Sequence, residues 1–122
     1  MGESRKNPLK EKSYAFALEI ISVTKQMNEQ KEFVLAKQLL RSGTSIGALV
    51  EEANQAESRA DFIHKLSIAN KEANETHYWL RLLKDSKTLV PETADVLIAQ
   101  CNELVKLLTA ILKTTKNNPK KK

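Results

Sequence analysis

One cysteine, Cys101, is all the chain has, so no disulfide can form within it. That usage fits a reducing compartment, and the expected location is cytoplasmic. Glycine and proline are nearly as scarce, three of each in 122 residues, and aromatics make up 5%. An all-β chain draws on turn-formers and aromatics more heavily, so the composition argues against sheet architectures. No apolar run approaches the roughly 20 residues a membrane span needs, and no signal-peptide core opens the chain. Met1-Gly2 opens like a myristoylation signal, but Lys6 stands where serine or threonine is required. No membrane partner is expected.

Signatures of chemistry are missing too. There is no CxxC, P-loop, GxGxxG or Gly-x-Ser-x-Gly turn. A di-metal bundle needs Glu-x-x-His pairs, and neither His64 nor His77 has glutamate three residues before it. Asp61-Phe62-Ile63-His64 is a half-match at a helix start, so no metal and no cofactor is expected.

What the chain does have is leucine, alanine and isoleucine at helical spacing. Phe16, Ile20, Val23 and Met27 alternate steps of four and three, widened by Ala17, Ile21 and Thr24. Leu35, Leu39, Ser42, Ile46, Leu49, Ala53 and Ala56 do the same, with Ala36, Leu40, Gly43, Gly47 and Val50 alongside. Phe62, Leu66, Ala69, Ala73, Thr76, Leu80 and Leu83 follow, then Leu97, Cys101, Leu104, Leu108 and Ile111, with Val105 and Leu112 alongside. The spacing predicts helices over 8–28, 31–56, 59–86 and 91–113. Asn7 before Pro8, Ser58 before Asp61, and Pro91 are their start signals. Short connections turn each helix back on the last. The expected fold is all-α: one domain, an antiparallel up-down-up-down left-handed four-helix bundle with a basic tail over 114–122.

Ser42-Gly43-Thr44-Ser45 is the local contradiction. Its composition favours a loop, since glycine costs about 1 kcal/mol against alanine inside a helix. The apolar stripe nevertheless crosses it without losing phase, so the spacing predicts helix. Gly43 and Gly47, one turn apart, then form a notch into which another backbone can come close.

The third helix carries more apolar surface than a solitary bundle requires. Ile68, Glu72, Glu75, Trp79 and Leu82 make a second stripe beside the first. These residues form a solvated edge with Trp79 covering the bundle, or they pack against another subunit; the second reading is preferred. Two carboxylates there need donors, either in a second copy or on the second helix, where Arg41, Ser42, Thr44 and Ser45 are the candidates. The expected interface or buried polar network comprises Arg41, Gly43, Gly47, Glu52, Ile68, Glu72, Glu75, Trp79 and Leu82. The whole points to a homo-oligomer.

The net charge of +5 is concentrated at the ends. Residues 1–12 carry +2, residues 113–122 carry +5, and the body between carries −2. Candidate nucleic-acid contacts are therefore Lys113, Lys116, Lys120, Lys121 and Lys122 with Arg5 and Lys6, supplemented by Lys65, Lys71, Arg81, Lys84 and Lys87. A solubilising tail on a protein-partner adaptor is the alternative. A third reading takes Arg59 and His64 as the Arg-x4-His pair of HEPN-type helical ribonucleases, with an arginine and a histidine flanking the scissile phosphate.

Lys12 to Leu18, Glu32 to Ala48 and Asp61 to Leu80, above all Leu39-Leu40-Arg41-Ser42-Gly43-Thr44-Ser45-Ile46-Gly47-Ala48 and Lys71-Glu72-Ala73-Asn74-Glu75-Thr76, carry a resemblance. Over roughly Pro8 to Ile111 the chain resembles the bacterial four-helix-bundle proteins encoded in intervening sequences of 23S rRNA genes. That family's usual Ala-Asn-Ile reads Ala48-Leu49-Val50 here. The family is similar to the accessory variability determinant of diversity-generating retroelements, a homopentameric barrel that binds nucleic acid and a reverse transcriptase. The resemblance thus implies a non-enzymatic oligomer, a ring of five, with RNA or DNA and a reverse transcriptase or other protein as partners.

Overall fold

Asn7 accepts a hydrogen bond from the Lys10 amide at 3.1 Å through its side-chain oxygen, and Pro8 occupies the first helical position. The first helix, α1, runs Pro8–Glu29 in the computed structural model, which describes residues 7–118. Three more helices follow: α2 at Phe33–Asn54, α3 at Arg59–Asp85 and α4 at Pro91–Lys116. Among the described residues there is no strand. Ser58 caps α3 by accepting from the Asp61 amide at 3.0 Å, as the sequence signal requires.

Helix α2 passes straight through Ser42-Gly43-Thr44-Ser45. The hydroxyls that favour loops are turned back into the helix: Thr44 Oγ1 donates to the Leu40 carbonyl at 2.7 Å and Ser45 Oγ to the Arg41 carbonyl at 2.6 Å. The last helix is longer than its spacing indicates. It continues three residues past Lys113, because Ile111 and Leu112 still have the core beneath them and Thr115 Oγ1 bonds back to the Ile111 carbonyl at 2.7 Å. The basic segment therefore begins on a helix, not in a coil.

The connections at 30–32 and 86–90 share one construction. Glu32 N–H reaches the Met27 carbonyl and Lys31 N–H the Asn28 carbonyl; Thr88 and Lys87 repeat the pattern on Leu83 and Lys84. This pair of hydrogen bonds from beyond the helix end needs a left-handed residue, and lysine fills both positions: Lys31 at φ 66° and Lys87 at φ 64°. A side chain is strained there and glycine is not. Lys87→Gly should raise stability by about 0.5–1 kcal/mol, read as a higher urea midpoint. A lowered midpoint would contradict the assignment.

The four helices form a bundle in cyclic order, with α4 returning beside α1 along a shorter contact than the other three neighbouring pairs share. Lys10 at the start of α1 meets Glu51 near the end of α2 at 3.7 Å, and Lys84 at the end of α3 meets Asp95 near the start of α4 at 2.7 Å. The core is continuous along the bundle. Phe16, Ile20, Met27, Leu39, Ile46, Leu66, Leu80, Leu83, Leu97, Leu104 and Leu108 are all buried, each burial contributing roughly 1.5–3 kcal/mol before its entropic cost. Cys101 sits among them, donating to the Ala73 carbonyl at 3.2 Å, and burial pushes its thiol up to about 12. It behaves as a small apolar side chain.

Candidate functional site

The densest polar cluster spans the seam between α2 and α3. Arg41 extends from the middle of α2 between two carboxylates one turn apart on α3. Its Nη1 donates to Glu72 Oε1 at 3.0 Å and its Nη2 to Glu75 Oε2. Trp79 Nε1 donates to the same Glu75 oxygen at 3.1 Å. The Arg41 hydrogen bond, helped by Trp79, holds the Glu75 carboxyl below the usual carboxylate range, and the same bond raises the Arg41 guanidinium. Below this surface network the hydroxyls of Thr76 and Ser42 lie 2.9 Å apart, both fully buried. This Ser–Thr contact joins the two helices and gives the buried Ser42 hydroxyl its partner, while Thr76 Oγ1 also lies 2.7 Å from the Glu72 carbonyl.

These positions answer the question posed by the second face of α3. Glu72 and Glu75 find their donor on α2 of the same chain, so they do not of themselves require a second copy. Trp79 packs partly against the core and Ile68 is half-buried. Glu52 is exposed and pairs with Lys65 at 3.2 Å. Only Leu82 on this stripe stays in solvent, at 39% exposure. The glycine notch is likewise filled from within: a Cβ on Gly43 would lie 2.9 Å from Ile20 Cγ1, and one on Gly47 would lie 3.3 Å from the Ser13 carbonyl oxygen. The close approach is that of α1, and both glycines are buried.

The basic candidates divide. Lys113 and Lys116 occupy the last turn of α4 and are exposed. Arg5, Lys6, Lys120, Lys121 and Lys122 lie outside the described residues. Of the body cluster, Lys65 and Lys84 are paired with Glu52 and Asp95. Arg81 Nε donates to His77 Nδ1 at 3.1 Å, and its guanidinium lies 5.7 Å from the Tyr78 ring centre. Burial first, and the Arg81 charge second, push the His77 imidazole down.

Arg59 and His64 are not set side by side. Five residues apart on a helix, they point about 140° away from each other. Arg59 Nη2 donates to the Thr115 carbonyl at the end of α4, a favourable place for a cation, while His64 is exposed. Among the described residues no three histidine, cysteine or carboxylate side chains converge as metal ligands. Nor is any described helix long and apolar enough to cross a membrane.

What the periodicity missed is an outer flank. Ile21 and Leu40, which the spacing assigns to the widened core stripes, are exposed, as are Tyr14 and Leu18 beside them. The signal was present as Tyr14-x3-Leu18 one step outside the stripe, but an isolated helix does not reveal which edge of a broad stripe its neighbours cover.

Residues 5–110 match the family described as 23S rRNA-intervening sequence protein. A solved structure from Bacteroides thetaiotaomicron VPI-5482, a protein of unknown function from the S23 ribosomal protein family, is 54% identical. It superposes with a TM-score of 0.84 over 86% of this chain and 98% of that one. No curated protein matches.

Proposed function

The chain belongs to the 23S rRNA-intervening sequence protein family, and we propose that it acts without catalysis, as a self-associating antiparallel bundle that holds nucleic acid. The observation that carries this reading is where the fold puts the two basic ends. Lys12 in α1 pairs with Glu103 in α4 at 3.0 Å, and Arg59 at the start of α3 donates to Thr115 near the end of α4. The start of α1 and the end of α4 therefore share one end of the bundle. Lys113 and Lys116 stand there on helix, and the sequence continues from that end into Arg5 and Lys6 on one side and Lys120, Lys121 and Lys122 on the other. Lys113 and Lys116 are exposed at that end, next to the points where the sequence runs on into the other five basic residues.

A ring of left-handed bundles would repeat that end several times over, and a polyanion bridging several copies gains avidity that one copy lacks. Five copies, and a reverse transcriptase as protein partner, are what the resemblance implies. The same design serves RNA or single-stranded DNA, since phosphate is what lysine tails read.

Binding of a structured RNA, followed by fluorescence anisotropy between 50 and 200 mM salt, tests the reading. Affinity should fall steeply with salt. Changing Lys113, Lys116, Lys120, Lys121 and Lys122 to glutamine should flatten the slope by about one unit for each phosphate no longer neutralised. Substitution is preferable to truncation, because the last turn of α4 anchors Arg59. Wild-type protein that ignores RNA at 50 mM salt would leave a protein-partner adaptor as the better account.

A further inference from the structure

We infer that the cleft between the α2–α3 connection and the last turn of α4 takes one unpaired nucleotide, with its base against Phe62 and its phosphate on Arg59. This rests on the nucleic-acid reading above and names the part of the polyanion that this end of the bundle recognises. The cleft measures about 610 Å³ and opens to solvent, a size that suits a small organic group. Its apolar lining is Ala53, Ala56 and the half-buried Phe62. Beside two alanines, the Phe62 ring is the one large apolar surface a ligand meets there. A base stacks on such a ring through its π-face, whichever base it is.

The polar lining suits the rest of a nucleotide. Arg59 is fixed by donating from Nη2 to the Thr115 carbonyl, the one hydrogen bond it makes among the described residues. A guanidinium has five N–H donors, and here Nε is buried without a partner. An arginine held at one corner with donors to spare is matched to phosphate, which accepts them in pairs. Glu57 lines the same cleft, and its carboxylate would repel a phosphate standing there alone. It fits a base instead: guanine presents N1–H and N2–H side by side, and one carboxylate can accept both. The amides of Asn54 and Asn118 can donate to or accept from the remaining polar atoms.

The position agrees with the chemistry. Thr114 and Thr115 of the lining lie between Lys113 and Lys116, both exposed, so a strand whose phosphates those lysines neutralise runs past the mouth of the cleft. Lysines alone would read backbone and ignore pairing. The cleft adds a preference for an unpaired nucleotide, because a paired base must first leave its stack at a cost.

Amide NMR titration of the full chain tests this, with guanosine 5′-monophosphate, ribose 5-phosphate and a short single-stranded oligoribonucleotide containing guanosine as probes. The mononucleotide should shift amides over 53–62 and 114–118. Ribose 5-phosphate, which lacks the base, should bind roughly 5- to 150-fold more weakly, the range that stacking of one base supplies. Phe62→Leu keeps an apolar side chain against the core and should bring the mononucleotide down to the ribose 5-phosphate level. Arg59→Gln should weaken both. The comparison of the two small probes on wild-type protein needs neither variant, so it decides the matter even where a variant loses helicity. Equal binding of the two probes, shifts confined to other parts of the bundle, or a folded Phe62→Leu protein with wild-type affinity would overturn the nucleotide cleft and leave lysine-borne RNA binding standing. Shifts from the mononucleotide with none from the oligomer would make this a site for free nucleotide and overturn its link to RNA. Absence of RNA binding in the salt series would overturn the nucleic-acid reading itself.

Discussion

Replacing Gly47 with leucine is expected to cost roughly 3 kcal/mol or more, enough to remove a large share of the stability of a domain this size. The reason is the identity of the neighbour. A Cβ on Gly47 would already lie 3.3 Å from the backbone oxygen of Ser13, and further side-chain atoms could be accommodated only by moving α1 as a body. Moving α1 would also withdraw Phe16, Ile20 and Met27 from the core they fill. Gly47→Ala separates the two contributions. Its single carbon is tight but short of overlap, and alanine recovers about 1 kcal/mol of helix propensity, so the change should be nearly neutral. Gly43→Ala should behave worse than Gly47→Ala, because its Cβ meets Ile20 at 2.9 Å and that fully buried, β-branched side chain has little room to turn. Urea midpoints for the three variants give the order directly. A Gly47→Leu protein that unfolds at the wild-type midpoint would mean that α1 does not sit where the notch places it.

The same glycines show what was legible in the sequence and what was not. Stripe phase carried α2 through Ser42-Gly43-Thr44-Ser45 against local propensity, because a buried face constrains spacing over many turns whereas a loop preference acts on a few residues. Start signals at Asn7 and Ser58 were readable because a cap is a local hydrogen bond between neighbours in sequence. The identity of a partner is not local. Glycine spacing indicated a close approach, but whether α1 or another copy comes close depends on the packing of the whole bundle. For the same reason the spacing named Arg41 on α2 as one candidate donor for Glu72 and Glu75 but could not choose between it and a second copy; the packing brings Arg41 to both. Spacing alone ends α4 short, at Lys113, since Thr114, Thr115 and Lys116 have no apolar phase; a side-chain-to-backbone bond at Thr115 and the contact from Arg59 extend the helix there instead. The basic excess was visible as composition, but that the start of α1 and the end of α4 share one end of the bundle follows only from the direction in which those helices run.

Phe16→Ala should be the most damaging truncation in α1, at about 3–5 kcal/mol and a fall of roughly 10–20 °C in melting temperature. Phe16 is 2% exposed and faces the α1–α4 side, where it lines a small cleft with Ala15 and Gln100. That side is the least extensive of the four seams, so little other apolar contact is left to hold α1 to α4 once the ring is gone. Gln100 sets the lower bound on the cost. Its side-chain oxygen is buried without a partner among the described residues, so water admitted to the new space would find an acceptor waiting and soften the loss. Hydrogen exchange distinguishes a local from a global effect. If the seam is the weak point, amides of α1 should gain exchange before those of α2 and α3, which keep their shared Ser42–Thr76 contact and the Arg41 network above it. Uniform acceleration across all four helices would show instead that the bundle opens as a single unit, with Phe16 an ordinary part of one undivided core.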